Sequence, residues 1–139
     1  MRKINIEAER AYENLKVSAG DVRANQSKYY WATAPYIDEF NSKVMQRIGD
    51  KNILEIGCSS GYQSKEYAKG CSQFHGVDVS NEAIRLANEL GLDNAVFDVC
   101  DAHTLPFDDS TFDCVIVNSL LHHLDLDRAI EEIYRVLKP

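Results

Sequence analysis

The period of the hydrophobic positions changes near residue 50. Before it, Ile4, Ala8, Ala11 and Leu15 recur at helical spacing and predict one helix over residues 4–17. Ser18-Ala19-Gly20-Asp21 reads as a break. A second helical stretch covers residues 27–48, with Pro35 expected to kink or divide it. After the turn at Gly49-Asp50-Lys51 the pattern becomes strand, helix, strand, helix. Apolar runs predict strands over residues 52–56, 73–77, 95–100 and 112–117. Between them lies a helix over residues 62–69, stopped by Gly70. A second helix is capped by Ser80, carries Ile84, Ala87 and Leu90 on one face and ends at Gly91. A last helix shows Leu126, Ile130, Ile133 and Leu137 at spacings of four, three and four.

Strands apolar on both faces, alternating with amphipathic helices, imply a parallel sheet covered by helices, the α/β class. Ligands of such sheets bind at the carboxyl ends of the strands. The residues just after each strand are therefore the ones to read for chemistry.

The chain has 139 residues, the length of one domain, in which residues 1–50 form an N-terminal helical cap and residues 51–139 the sheet-bearing core. Its net charge of −7 argues against broad nucleic-acid binding. No apolar run approaches the roughly 20 residues of a membrane span, and Met1 to Glu7 is not a secretory leader, so a cytoplasmic protein away from membranes is expected. Cys58, Cys71, Cys100 and Cys114 form no Cys-x-x-Cys pair. They read as small hydrophobes, and no metal is expected.

Strand one runs into Gly57-Cys58-Ser59-Ser60-Gly61 and then a helix. Glycines let a ligand approach the backbone, and the helix start beyond offers N–H groups. The dinucleotide pattern Gly-x-Gly-x-x-Gly fails here, because Ser59 and Tyr62 stand where its second and third glycines belong. A nicotinamide-binding domain is thereby disfavoured. Asp78 ends strand two, 21 residues after Gly57, where a carboxylate can accept from a ribose diol. Asp101 follows strand three, within Asp101-Ala102-His103-Thr104-Leu105-Pro106-Phe107. Adenine shows a donor beside an acceptor, which Asp101 and the Ala102 backbone complement.

The segment Glu55-Ile56-Gly57-Cys58-Ser59-Ser60-Gly61 resembles motif I of the class I, Rossmann-like S-adenosylmethionine-dependent methyltransferases, with Ser59 replacing the middle glycine. Asp101 to Phe107 is similar to the family's Asp-Ala-x-x-Leu-Pro-Phe segment. Residues 107–124 and 131–139 resemble its fourth strand and following helix. The match is closest to the broad small-molecule group. The resemblance implies S-adenosylmethionine as cofactor, S-adenosylhomocysteine as product, and a small-molecule acceptor. It places the cofactor against Glu55, Gly57, Cys58, Ser59, Gly61, Asp78, Val79, Asp101, Ala102, Asn118 and Ser119. Asn118 is not followed by Pro-Pro-aromatic, which disfavours amino-group methylation of adenine or glutamine.

No catalytic residue stands out; His122 and His123 are weak candidates for a base, and as helix neighbours they make a poor metal pair. Tyr29, Tyr30, Trp31 and Tyr36 are candidates for a lid or an acceptor wall, since aromatic faces favour a sulfonium. The family's strand order for these four would be 3-2-1-4. Its further strands have no counterpart before Pro139, so the core reads as truncated after the fourth strand and its helix. The exposed fourth strand would then favour a homo-oligomer. An alternative function is a cofactor-binding module or partial subunit without catalysis of its own.

Overall fold

The computed structural model describes residues 5–20 and 27–139, with side chains of the second helix described from Ala34 onward. Its order is α1 (Ile6–Ser18), α2 (Ser27–Ile48), β1 (Asn52–Ile56), α3 (Ser64–Lys69), β2 (Gln73–Asp78), α4 (Asn81–Asn88), β3 (Ala95–Val99), β4 (Cys114–Val117) and α5 (Leu126–Val136). A 3-10 turn, Leu121–His123, precedes α5. The sheet is parallel throughout, in the order β3-β2-β1-β4, as the resemblance implies.

Alternation along β1 divides the core. Ile53 joins Val44, Ile48, Tyr67, Phe74, Phe97 and Ile116 on one face, beneath α2, α3 and α4. Leu54 and Ile56 join Val77, Leu105, Phe112 and Val136 on the other, beneath α5. The period of two is what sends adjacent residues to opposite layers. Glu55 shares the face of Ile53, and there it accepts a hydrogen bond from Ser64 Oγ on α3. The ends of β1 and β4 are joined reciprocally: Asn52 N–H donates to Asp113 Oδ2 at 2.8 Å and Asp113 N–H to Asn52 O at 2.9 Å.

Four expectations change. The second helix runs through Pro35 without division, and Pro35 is exposed. The inward face of α1 is not Ala8-Ala11-Leu15, all of which face solvent, Leu15 at 69% exposure; Ile4 lies outside the described residues. Val17 is its buried residue, and Arg10 and Asn14 turn toward the sheet. On α5 the small Ala129 and Val136 are buried, whereas Leu126 and Ile130 are exposed. Helix α4 follows expectation at Ile84 and Ala87, but Leu90 is exposed.

Candidate functional site

A cavity of about 350 Å³ opens at the carboxyl ends of the strands, in the range of small-ligand pockets. Gly57 and Ser59 after β1, Asp78 and Val79 after β2, Asp101 and Ala102 after β3, and Asn118 and Ser119 after β4 all line it. Eight of the eleven expected cofactor contacts are therefore brought to one wall. Glu55, Cys58 and Gly61 are not on it. Strand alternation turns Glu55 under α3, Cys58 is buried in the core, and Gly61 packs beneath α4 beside Ala87 and Leu90.

The loop after β1 is folded onto β2. Gly57 and Cys58 N–H groups both donate to Val77 O, at 2.8 and 3.1 Å. Gly57 has φ +79°, and a Cβ there would meet Leu120 Cδ2 at 2.9 Å. Ser59, in place of a glycine, nevertheless adopts φ +51°. That left-handed conformation costs a side-chain-bearing residue about 1–2 kcal/mol. It aims the Ser59 N–H at Asp78 Oδ2, 2.9 Å away, while Ser80 N–H donates to Oδ1 at 2.9 Å. Ser80 also caps α4 through Ala83 N–H, so Asp78 is not needed as the cap.

Asp101 is held differently. The backbone N–H of His103 and its ring Nδ1 both reach Oδ1, at 2.9 and 2.6 Å. The following segment is clamped to α5. Glu132 Oε2 accepts from Leu105 N–H at 2.7 Å. Arg135 donates to Leu105 O and Phe107 O at 2.9 and 2.7 Å, and to Glu132 as well. The Arg135 guanidinium and the Leu105 N–H hold the Glu132 carboxyl below its ordinary range. Cys100 lines the cavity, but burial, aided by Asp101, Asp98 and Glu132, pushes its thiol up to about 11. It is a neutral wall residue at neutral pH, not a nucleophile.

The opposite wall is α1, which sequence reasoning did not assign to the site. Ile6, Glu9, Glu13 and Val17 line the cavity. Arg10 Nε donates to Val79 O at 3.0 Å, and Asn14 Oδ1 accepts from Ser80 Oγ at 2.7 Å. Glu9 Oε1 lies 3.0 Å from His123 Nδ1, and both His122 and His123 line the cavity. The polar i, i+4 pairs Glu9/Glu13 and Arg10/Asn14 are the only trace of this in the sequence. Tyr36 is 78% exposed and away from the cavity wall. Tyr29, Tyr30 and Trp31 belong to α2, but their side chains lie outside the described part. Among the described residues no group of three His, Cys, Asp or Glu side chains gathers to hold a metal, and no helix is long and apolar enough to cross a membrane.

These groups fit an adenosyl ligand: a carboxylate to accept from a diol, a carboxylate beside a backbone N–H for a purine edge, and bare backbone at Gly57. Comparison with known proteins finds methyltransferases. A family model described as a methyltransferase domain matches residues 54–139. The human protein named "Probable tRNA methyltransferase 9B" is 34% identical over 124 residues, covering 79% of this chain and 26% of its own length. A SAM-dependent methyltransferase structure from Methanosarcina mazei is 42% identical, with TM-score 0.56, over 65% of this chain and 49% of its own. A Haloferax volcanii methyltransferase, solved with the Trm112 methyltransferase activator, is 25% identical with TM-score 0.74, over 91% of this chain and 56% of its own. The chain thus spans about a quarter of the human relative's length and about half that of each of the two solved neighbours.

Proposed function

Because the chain belongs to the class I, S-adenosylmethionine-dependent methyltransferase family, we propose that its cavity binds S-adenosylmethionine and that the protein methylates a small-molecule acceptor. The observation that carries this reading is the placement of Asp78 and Asp101, at the ends of the paired strands β2 and β3, on one cavity wall. Asp78 accepts from the ribose hydroxyls while Ser59 and Ser80 hold its carboxylate in place. Asp101 and the Ala102 N–H read the adenine edge, and Asn118 and Ser119 border the methionine end. When bound, S-adenosylmethionine supplies a methyl carbon made electrophilic by its sulfonium.

The protein's main contribution is orientation of the acceptor against that carbon. Where the acceptor must lose a proton, His123 is the wall residue placed to take it, its Nδ1 facing Glu9. A small acceptor is supported by the net charge of −7, which disfavours a polyanion. Methyl transfer from labelled cofactor to bulk tRNA would overturn that part. The binding reading is tested by calorimetric titration with S-adenosylmethionine, S-adenosylhomocysteine and NAD. Saturable binding of the two adenosyl compounds, without NAD binding, is expected; no binding by the folded protein refutes it.

A second reading, a cofactor-binding module that acts through a partner chain, is supported by the likeness to the methyltransferase solved with its activator. It expects the same binding with no methyl transfer by this chain alone.

A further inference from the structure

We infer that His103 is a positioning residue that fixes which oxygen of Asp101 meets a purine, and thereby makes the cavity select a 6-amino over a 6-oxo purine. The inference rests on the reading of the cavity as an adenosyl site. His103 is 6% exposed, and each of its ring nitrogens has a partner. The backbone N–H of Asp125 reaches Nε2 at 2.9 Å. A backbone N–H only donates, so Nε2 carries the lone pair and the proton sits on Nδ1. Nδ1–H therefore donates to Asp101 Oδ1 at 2.6 Å, and the His103 backbone N–H donates to the same oxygen at 2.9 Å.

Two donors on Oδ1 leave Oδ2, which takes no hydrogen bond among the described residues, as the oxygen offered to the ligand. Buried as it is, the imidazole also prevents the carboxylate from rotating. An adenine amino group donates to Oδ2. A hypoxanthine oxygen at the same place sets acceptor against acceptor, a mismatch the locked carboxylate cannot turn away from. Asp125 is the N-cap of α5 and follows the His122–His123 turn, so the same ring ties the purine end of the cavity to its opposite end.

The test compares S-adenosylhomocysteine with S-inosylhomocysteine by calorimetry on the full chain. The native protein is expected to favour the adenosyl compound by about 100-fold or more. In His103→Asn the side-chain amide stands near Nδ1; it keeps the donor to Asp101 and gives up the Asp125 bond. In His103→Gln the amide stands near Nε2; it keeps an acceptor for Asp125 and gives up the Asp101 bond. The preference is expected to fall about tenfold or more in His103→Gln and to stay within about threefold of native in His103→Asn. A ring that only ties the fold together would give the reverse order, or no change in preference in either variant, and either result overturns the inference. Failure of the native protein to bind S-adenosylhomocysteine refutes the adenosyl reading itself, a separate outcome. Should His103→Gln not fold, the imidazole nitrogen shifts of the native protein decide: a proton on Nε2 rather than Nδ1 overturns the assignment.

Discussion

Asp78→Asn separates the two tasks of that side chain. The substitution keeps the shape and replaces one carboxylate oxygen by an amide NH2. Ser59 N–H and Ser80 N–H each reach a different oxygen of Asp78, both at 2.9 Å. Whichever way the amide turns, one backbone donor then faces another donor. An unsatisfied, partly buried donor costs about 1–3 kcal/mol. At this length that lowers the melting temperature by roughly 3–10 °C. The ligand meets a second loss. One of two acceptors for the ribose diol disappears, and the other is no longer charged, worth together about 2–3 kcal/mol. S-adenosylhomocysteine affinity is expected to fall about 30- to 150-fold. Calorimetric titration well below the variant's melting temperature, beside a thermal melt, reads both quantities. A dissociation constant within about threefold of native, with the melting temperature lowered as expected, would refute the reasoning and leave Asp78 as a loop strut only.

Gly57→Ala and Gly61→Ala each force a Cβ onto a positive φ and are expected to cost about 1–2 kcal/mol of stability by urea titration. Only Gly57 lines the cavity, so only its variant should also weaken S-adenosylhomocysteine binding, by about tenfold. Arg135→Met releases Leu105 O and Phe107 O and leaves Glu132 without its guanidinium; a lower urea midpoint is expected in the same titration. The Cys100 thiol is raised to about 11 from an ordinary 9.0, so the unfolded chain loses this proton first. Its contribution is fully present below about pH 9 and is lost as pH rises to about 11, on the order of 2 kcal/mol. Cys100→Ala is expected to flatten that alkaline decline, and an unchanged decline would count against the burial of the thiol.

The sheet was readable because its signal is local and redundant: each strand is a short apolar run, and each carboxylate stands at a run's end. Asp78 and Asp101 needed only chain position to be found. What could not be read depends on partners distant in the chain. Arg10 and Asn14 look like ordinary surface residues until Val79 and Ser80 are brought beneath them. Glu132 and Arg135 look like a common i, i+3 surface pair, yet both hold the Leu105–Phe107 segment. The apolar stripes of α1 and α5 misled for a related reason. The sheet took the small Ala129 and Val136 at close range, and α1 meets α4 and the loop before it, where hydrogen bonds, not area, decide the face. Ser59 shows the converse case: the chain departs from the glycine motif and still keeps the glycine-like φ.

Helix α1 meets the rest of the protein mainly through polar groups, with Val17 its buried residue and Tyr12 and Leu15 turned outward. Undocking it uncovers little apolar surface and so adds little to the heat-capacity change of melting. The sheet, closed by two apolar layers, has the opposite thermodynamic character. As temperature rises, the cavity is therefore expected to lose one wall while the strands remain paired. Amide exchange in α1 would outpace that in β1, and the temperature at which ligand escapes would lie below the temperature at which the chain unfolds.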